Sequence, residues 1–275
     1  MTISTQLANV IRAAIDAGDA IMEVYATDFQ VDTKSDNSPL TQADTRANDI
    51  ITNVLNTTSL PVISEEGRLI PFHIRESWTR FWLVDPLDGT KEFVNRNGEF
   101  SVNIALIDHQ KPVAGVIYAP VTDTLYFSDE TGAWKLPHAK GIVLSNSDLA
   151  HFKRSGMRLP LQRITRDYTI VASRSHLNPE TTEFINKTKR EHDSIRIVSR
   201  GSSLKMCMIA EGHADVYPRF GLTSEWDTAA GHAIVKAAGG KVVQIENQEI
   251  ELLYNSHDLQ NPSFVAYPSP GISLD

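Results

Sequence analysis

The sequence predicts an α/β protein built in two halves, an α+β first half followed by an α/β second half. Three patterns lead there: apolar residues at helical spacing near the start, closely spaced strand runs from 100 to 128, and strands alternating with helices from 168 to 245. With 275 residues and no internal repeat, the length suits one large domain or two that share a core.

Leu7, Ile11, Ala14, Ile15, Gly18, Ile21 and Tyr25 fall on one face at three-and-four spacing, which predicts a helix over 5–26. Arg12, Asp16, Asp19 and Glu23 interrupt it, so it reads as an amphipathic helix packed on a core, not as a signal or membrane segment. Thr41 with Asp44 three positions on forms a capping pattern, and Ala43, Ala47, Ile50, Ile51, Val54 and Leu55 continue a second helical stripe. The apolar runs 61–64 and 81–84 predict strands buried on both faces, each ending in carboxylates. Runs at 100–108, 112–119 and 124–128, closed by Thr131-Gly132, predict an antiparallel meander.

The segment 137–165 is polar and weakly periodic, so a domain boundary is expected there, dividing 1–145 from 146–275. Beyond it, strands at 168–173, 194–199, 214–218 and 241–245 alternate with helices at 179–190, 201–212 and 227–238. Gly239-Gly240 stops the last helix.

Hydrophobic residues at 41% and charged residues at 22% provide a sizeable core and argue against disorder. The net charge of −8 argues against a nucleic-acid polymer as partner, because such proteins turn a basic face to phosphate. A small anionic substrate then needs bound cations or a local patch of Lys and Arg. Cys207, the only cysteine, allows no intrachain disulfide and no zinc spacing, and fits a reducing cytoplasm. No spanning segment or lipidation motif is visible, so any attachment to the inner face of the membrane is expected to be peripheral.

The chemistry concentrates in the run DPLDGT at 85–90. A buried strand delivers Asp85 at its end, Pro86 fixes one backbone dihedral, and Asp88 returns three residues later. Gly89 admits conformations closed to other residues, so the turn can aim both acids and the Leu87 carbonyl at one point. Such hard oxygen donors favour Mg²⁺, which keeps waters and takes substrate phosphate. Asp, Pro and Gly are also ordinary turn residues, which leaves a capped β-turn open for this run alone. Ser64-Glu65-Glu66 offers a second acidic strand end, and Asp227 opens a small-residue helix where it reads equally well as a cap. Asp44, also at a helix start, carries the same capping alternative.

SerGluGlu, AspProLeuAspGlyThr, and TrpAsp followed by AlaAlaGly and AlaGlyGly, in this order, resemble the motifs of the inositol monophosphatase superfamily of lithium-sensitive, metal-dependent phosphatases. The resemblance spans essentially the whole chain. LeuThrGlnAlaAsp, AspGlyThrLysGluPhe, AsnGlyGluPheSerValAsnIleAlaLeuIle, AlaSerArgSerHis, GlySerSerLeuLys and TyrProArgPheGly are similar to the CysQ-type 3'(2'),5'-bisphosphate nucleotidases within it. The resemblance implies a layered αβαβα sandwich with the metal site between the halves. It implies Glu65, Asp85, the Leu87 carbonyl, Asp88 and Asp227 as ligands for two or three Mg²⁺ ions. Asp44 and Thr90 match the pair that orients and deprotonates the attacking water, and amides around Gly89 and Thr90 would hold phosphate oxygens. Most ligands would then lie in 1–145, with Asp227 and the nucleotide contacts in 146–275.

The same resemblance implies that His176, Ser202, Lys205 and Arg219 contact a nucleotide bearing two phosphates, with Glu65, Leu87, Asp88, Gly89, Thr90 and Asp227 around the reacting one. The expected activity is hydrolysis of the 3'-phosphate of adenosine 3',5'-bisphosphate to AMP and phosphate, with the 3'-phosphosulfated analogue as a second substrate, in sulfate assimilation. Taken singly, Lys205 and Arg219 read as solvated charges and His176 as a loop histidine. An inositol or sugar phosphate monoesterase is an alternative, because Glu225 resembles in position the acid such enzymes place near sugar hydroxyls. A non-catalytic metal or nucleotide sensor is another, opposed by the survival of every motif carboxylate.

Overall fold

The computed structural model describes residues 3–33, 39–146, 148–162, 166–173 and 178–270. Helix α1 (Ile3–Tyr25) leads to a short ribbon of β1 (Asp32–Thr33) and β2 (Pro39–Leu40), then to helix α2 (Gln42–Leu55). Both helices follow the expected stripes. Thr41 caps α2, its Oγ1 accepting from Ala43 N at 3.1 Å.

A seven-stranded sheet comes next, with β3 (Val62–Ser64), β4 (Arg80–Asp88), β5 (Ser101–Asp108), β6 (Lys111–Ala119), β7 (Thr124–Asp129), β8 (Gly132–Pro137) and β9 (Met157–Arg158) lying side by side in chain order. β3 and β4 are parallel and the remaining neighbours antiparallel, so the expected meander is present. Four short helices interrupt it: α3 (Phe72–Arg75), α4 (Thr90–Val94), α5 (Ala139–Ser145) and α6 (Leu149–Ser155). The last two occupy the segment that reads as weakly periodic, because two turns are too few to display a stripe. Asp148, which accepts from Ala150 N at 3.0 Å, is the local signal for α6. β9 then returns to pair with β8, so the sheet continues past residue 145.

The second half contains β10 (Tyr168–Ser173), α7 (Pro179–Glu191), β11 (Ile195–Arg200), α8 (Leu204–Glu211), β12 (Tyr217–Arg219), α9 (Glu225–Ala237), β13 (Lys241–Gln244) and β14 (Phe264–Tyr267). β10 and β11 are parallel, and β10 meets the segment before β12 through an Ile170–Val216 bridge. β14, which the alternating pattern does not include, lies between β12 and β13 and runs antiparallel to both. The strand expected at 214–218 is displaced to 217–219 by that pairing. Helix α8 starts later than the expected 201, because Ser202 takes a left-handed φ of 53° and keeps 201–203 out of the helix.

The layers follow from the packing. α1 and α2 cover one face of the large sheet, and α9 crosses the other with α8 beside it. The second sheet lies beyond that pair, and α7 packs on its outer face through Ile185 against Ile170, Val216, Val243 and Val265. This is the expected αβαβα order. Trp82 and Val84 of β4 enter the α1/α2 core while Phe81 and Leu83 enter the α8/α9 core, as a strand buried on both faces requires. α9 sits close on the sheet at Gly115 of β6, where a Cβ would lie 2.4 Å from Ala230 O. The carboxyl end of β4 therefore faces the starts of α8 and α9. Among the described residues no helix is long and apolar enough to cross a membrane.

Candidate active site

β4 builds the site through an irregularity. Alternate residues of a regular strand face opposite sides, so Asp85 and Asp88, an odd number of positions apart, would diverge. The pairing with β5 shifts between them, Asp85 standing opposite Asn103 and Asp88 opposite Ser101. One extra residue is thus absorbed in β4, and both acids come to the same side. Pro86, which has no N–H to offer a ladder, sits within this bulge. Gly89 then turns the chain at φ +91°, where a Cβ would also meet Glu99 O at 3.2 Å.

Four aspartates meet here, and each commits one oxygen to the scaffold. Asp44 Oδ2 accepts from Thr41 N and Thr41 Oγ1, both at 2.7 Å, while its Oδ1 accepts from Thr90 Oγ1 at 3.2 Å. The capping and site roles of Asp44 are therefore held by different oxygens of one carboxylate. Asp85 Oδ1 accepts from Leu87 N at 3.1 Å, and Asp227 Oδ2 accepts from Ser224 N at 2.9 Å. Asp88 Oδ2 accepts from Ser203 N at 2.6 Å, Ser202 Oγ at 2.7 Å, Ser203 Oγ at 2.8 Å and Asn103 Nδ2 at 3.0 Å.

Glu65, Asp85 and Asp227 converge, with one carboxylate oxygen from each within 4.8 Å of the others. Burial, followed by the charges of Glu65, Asp88, Asp227 and Asp44, pushes the Asp85 carboxyl well above its ordinary pKa. Asp227 is pushed well up by burial, then by Asp88 and Glu65, against the Ser224 N–H and Arg219. Acids held this close cannot all stay charged without protons or a cation. An all-oxygen cluster of this kind fits a hard divalent cation. Asp88 stands beside the trio and adds its charge to it, and the Leu87 carbonyl lies 3.3 Å from Thr90 Oγ1 as an alternative acceptor for its proton.

A cavity of about 390 Å³ opens beside these acids, lined by Asp88–Glu92, Gly201–Ser203, Lys205, Tyr217, Arg219 and Asp227 among others. The buried Lys205 donates to Ser202 O at 2.6 Å and Arg200 O at 3.3 Å, so one of its three ammonium N–H groups remains for the cavity. Burial, and then Arg219, lower its pKa, while Asp88 and Glu92 oppose the shift. Arg219 Nη2 donates to Leu222 O at 3.0 Å, but its Nε is buried without a partner among the described residues. An unsatisfied donor at a cavity wall is a place for an anion. Ser202 lines the cavity, although its hydroxyl proton is directed to Asp88. His176 lies outside the described residues.

The position of Glu225 is a correction. It is fully buried, and its oxygens accept from Asn255 N at 2.6 Å and Ser256 N at 2.8 Å, within a loop that Arg75 also grips. Residues two apart on a helix point about 200° away from each other, so Glu225 cannot follow Asp227 into the site. Sequence reasoning missed Asn103, Ser203 and Glu92. Asn103 is found only through its register opposite Asp85, and Ser203 only through contact between the halves. Glu92 follows Thr90 in the run already singled out. It is half-buried on the cavity wall with its pKa raised, chiefly by burial.

The model of the inositol monophosphatase family matches residues 4–269. The chain is 45% identical over 263 residues to the 3'(2'),5'-bisphosphate nucleotidase CysQ of Escherichia coli O157:H7, covering 94% of this chain and 98% of that one. It is 33% identical over 273 residues to the protein of the same name from Haemophilus influenzae, covering 96% and 94%. The crystal structure of CysQ from Bacteroides thetaiotaomicron, a bacterial member of the inositol monophosphatase family, matches with a TM-score of 0.89 at 46% identity over 98% of both chains. By a family match along almost its whole length and by relatives at this identity, the chain belongs to the inositol monophosphatase family and groups with its CysQ-type members.

Proposed function

We propose that this chain is a Mg²⁺-dependent 3'(2'),5'-bisphosphate nucleotidase that removes the 3'-phosphate of adenosine 3',5'-bisphosphate in the cytoplasm, giving AMP and phosphate. One observation carries the substrate: of the three cations that line the cavity adjoining the carboxylates, Lys91 follows the carboxylate run itself, while Lys205 and Arg219 come from the second half. A monophosphate engages only the carboxylate end, whereas a second phosphate uses both. The 3'-phosphosulfated analogue presents the same two groups and is a second candidate substrate. The names of the CysQ relatives agree with this reading.

Two or three Mg²⁺ ions held by Glu65, Asp85 and Asp227, with Asp88 and the Leu87 carbonyl, would supply charge neutralisation at the phosphoryl oxygens and a more acidic water. Thr90 Oγ1, fixed by Asp44, orients the attacking water. As the water oxygen bonds to phosphorus, its proton passes to Thr90 Oγ1 and the Thr90 proton passes to Asp44 Oδ1. The bond from phosphorus to the ribose 3'-oxygen breaks, and the leaving oxygen takes its proton from solvent. Amides at Gly89 and Thr90 steady the phosphoryl oxygens, while the remaining Lys205 N–H and Arg219 Nε hold the phosphate that is not cleaved.

Phosphate release from adenosine 3',5'-bisphosphate and from inositol 1-phosphate, measured in parallel at saturating Mg²⁺, tests the substrate. The bisphosphate is expected to have a kcat/KM at least about tenfold higher, the effect of one charge-assisted contact. Equal or better use of inositol 1-phosphate would overturn the substrate and keep the cation site. Glu225, the residue that favoured the inositol reading, faces the 255–256 loop. Asp44→Asn is expected to lower kcat by about 10²–10⁴-fold, as loss of a general base does, with the Mg²⁺ dependence unchanged. Wild-type turnover in that variant removes Asp44 from the proton path.

A further inference from the structure

We propose that Ser203, supported by Asn103, is a positioning residue that locks Asp88 to the start of α9, so that the cation site exists only while the two halves are in contact. The idea rests on the cation reading above. It begins with a hydroxyl that ignores its own helix. Ser203 occupies the N-cap position of α8, where a serine side chain ordinarily accepts from the first turn's amides. Here it makes no cap hydrogen bond. Its Oγ lies 2.8 Å from Asp88 Oδ2 and 2.8 Å from the Asp227 carbonyl, touching a residue of β4 and a residue of α9 at once.

The proton accounting closes around this atom. Asn103 has two amide protons, one directed to Asp88 Oδ2 at 3.0 Å and the other to Ser203 Oγ at 2.9 Å. Ser101 Oγ donates to Asn103 Oδ1 at 2.9 Å, which sets the amide with its nitrogen towards Asp88. Ser203 thus accepts from Asn103 and keeps its single proton for Asp88 or for the Asp227 carbonyl, two acceptors that it holds at equal distance. All three side chains are buried, so water cannot easily take their place.

The consequence falls on Asp88. Ser203 N, Asn103 Nδ2 and Ser202 Oγ donate to Oδ2 and Ser203 Oγ lies 2.8 Å from it, so that oxygen is saturated. No donor among the described residues reaches Oδ1. The carboxylate cannot swing or chelate through both oxygens, and it offers Oδ1 alone. Groups that orient a ligand in this way typically change cation affinity by about 10–100-fold when removed.

The test compares the full-length wild type with Ser203→Ala, Ser203→Thr and Asn103→Leu by calorimetric Mg²⁺ titration, with Tm recorded in chelator. Ser203→Ala and Asn103→Leu are expected to weaken Mg²⁺ by about 10–100-fold. Their Tm in chelator should shift by no more than about 4 °C. Ser203→Thr, which keeps the hydroxyl, should restore most of the affinity. The Mg²⁺ concentration at half-maximal turnover should move in step with the dissociation constant. A wild type that binds Mg²⁺ and variants that bind it equally well overturn this proposal alone. A wild type that binds none overturns the cation reading and this proposal with it. Lost affinity that tracks a collapse of Tm in chelator, unrescued by Ser203→Thr, reduces the hydroxyl to packing and also overturns it.

Discussion

Asp85→Asn is expected to abolish phosphate release while making the chelated protein more stable at neutral pH. The loss follows from removing the most buried acid of the converging trio Glu65, Asp85 and Asp227. Charge stabilisation by bound cations contributes several kcal/mol to such reactions. At about 1.4 kcal/mol per tenfold, that amounts to roughly 10³-fold or more. The gain in stability follows from the same burial. Without a cation, Asp85 is desolvated and faces Glu65, Asp88 and Asp227, and its pKa rises because the charged form is penalised. An asparagine is nearly isosteric and keeps an Oδ1 to accept from Leu87 N, so the penalty goes and the hydrogen bond stays. Each kcal/mol relieved should raise Tm by about 2–4 °C.

The sign of the pH dependence follows from linkage. A carboxyl whose folded pKa lies above its unfolded value stabilises fully below the unfolded value and loses that contribution as pH climbs through the folded one. The wild type in chelator should therefore lose Tm as pH rises from about 4. Either Asp85→Asn or added Mg²⁺ should flatten that slope. A variant that melts lower than the wild type in chelator at pH 7, or that turns over at saturating Mg²⁺, would falsify this account of the cluster.

The aspartate cluster also shows how much of the molecule is legible in the sequence. The stripes of α1 and α2, the meander and the central apolar runs are repeating patterns, and each became the expected element. The acids at 65, 85, 88 and 227 stand at strand ends and a helix start, but those places alone leave a capped turn and a helix cap open, and it is the resemblance to the phosphatase motifs that singles them out. What remained hidden depends on tertiary contact. β14 pairs inside the second sheet across a long separation, α5 and α6 are too short for periodicity, and the β4 bulge appears only once β5 is beside it. Asn103 stands between Val102 and Ile104 in a largely apolar strand run, and nothing in that run says which way its amide points. Glu225 was misread for the converse reason. Its resemblance in position to the acid that inositol phosphatases place near sugar hydroxyls suggested the site, but its oxygens accept from the 255–256 amides on the other side of the helix.

Lys205→Met is expected to separate the two ends of the cavity. For adenosine 3',5'-bisphosphate it should lower kcat/KM by about ten- to hundredfold, the range for losing a charge-assisted hydrogen bond to phosphate. For inositol 1-phosphate, which has no second phosphate to present, the ratio should stay within about twofold, inside the scatter expected of a site without direct contact. The effect on the bisphosphate should appear mainly in KM, because the contact is the same in the ground state and the transition state. Lys205 also holds the Ser202 and Arg200 carbonyls, and Ser202 reaches Asp88. Loss of the lysine could therefore act through the carboxylates and not through the substrate. The Mg²⁺ dependence decides between these routes: an unchanged half-saturating concentration places the loss at the phosphate contact, and a raised one places it at Asp88. Arg219→Met supplies the second leg of a cycle, since two cations on one phosphate should be less than additive when both are removed. Strict additivity, or equal losses for the two substrates, would mean that Lys205 and Arg219 do not share a phosphate and that the cavity is not selecting for a second one.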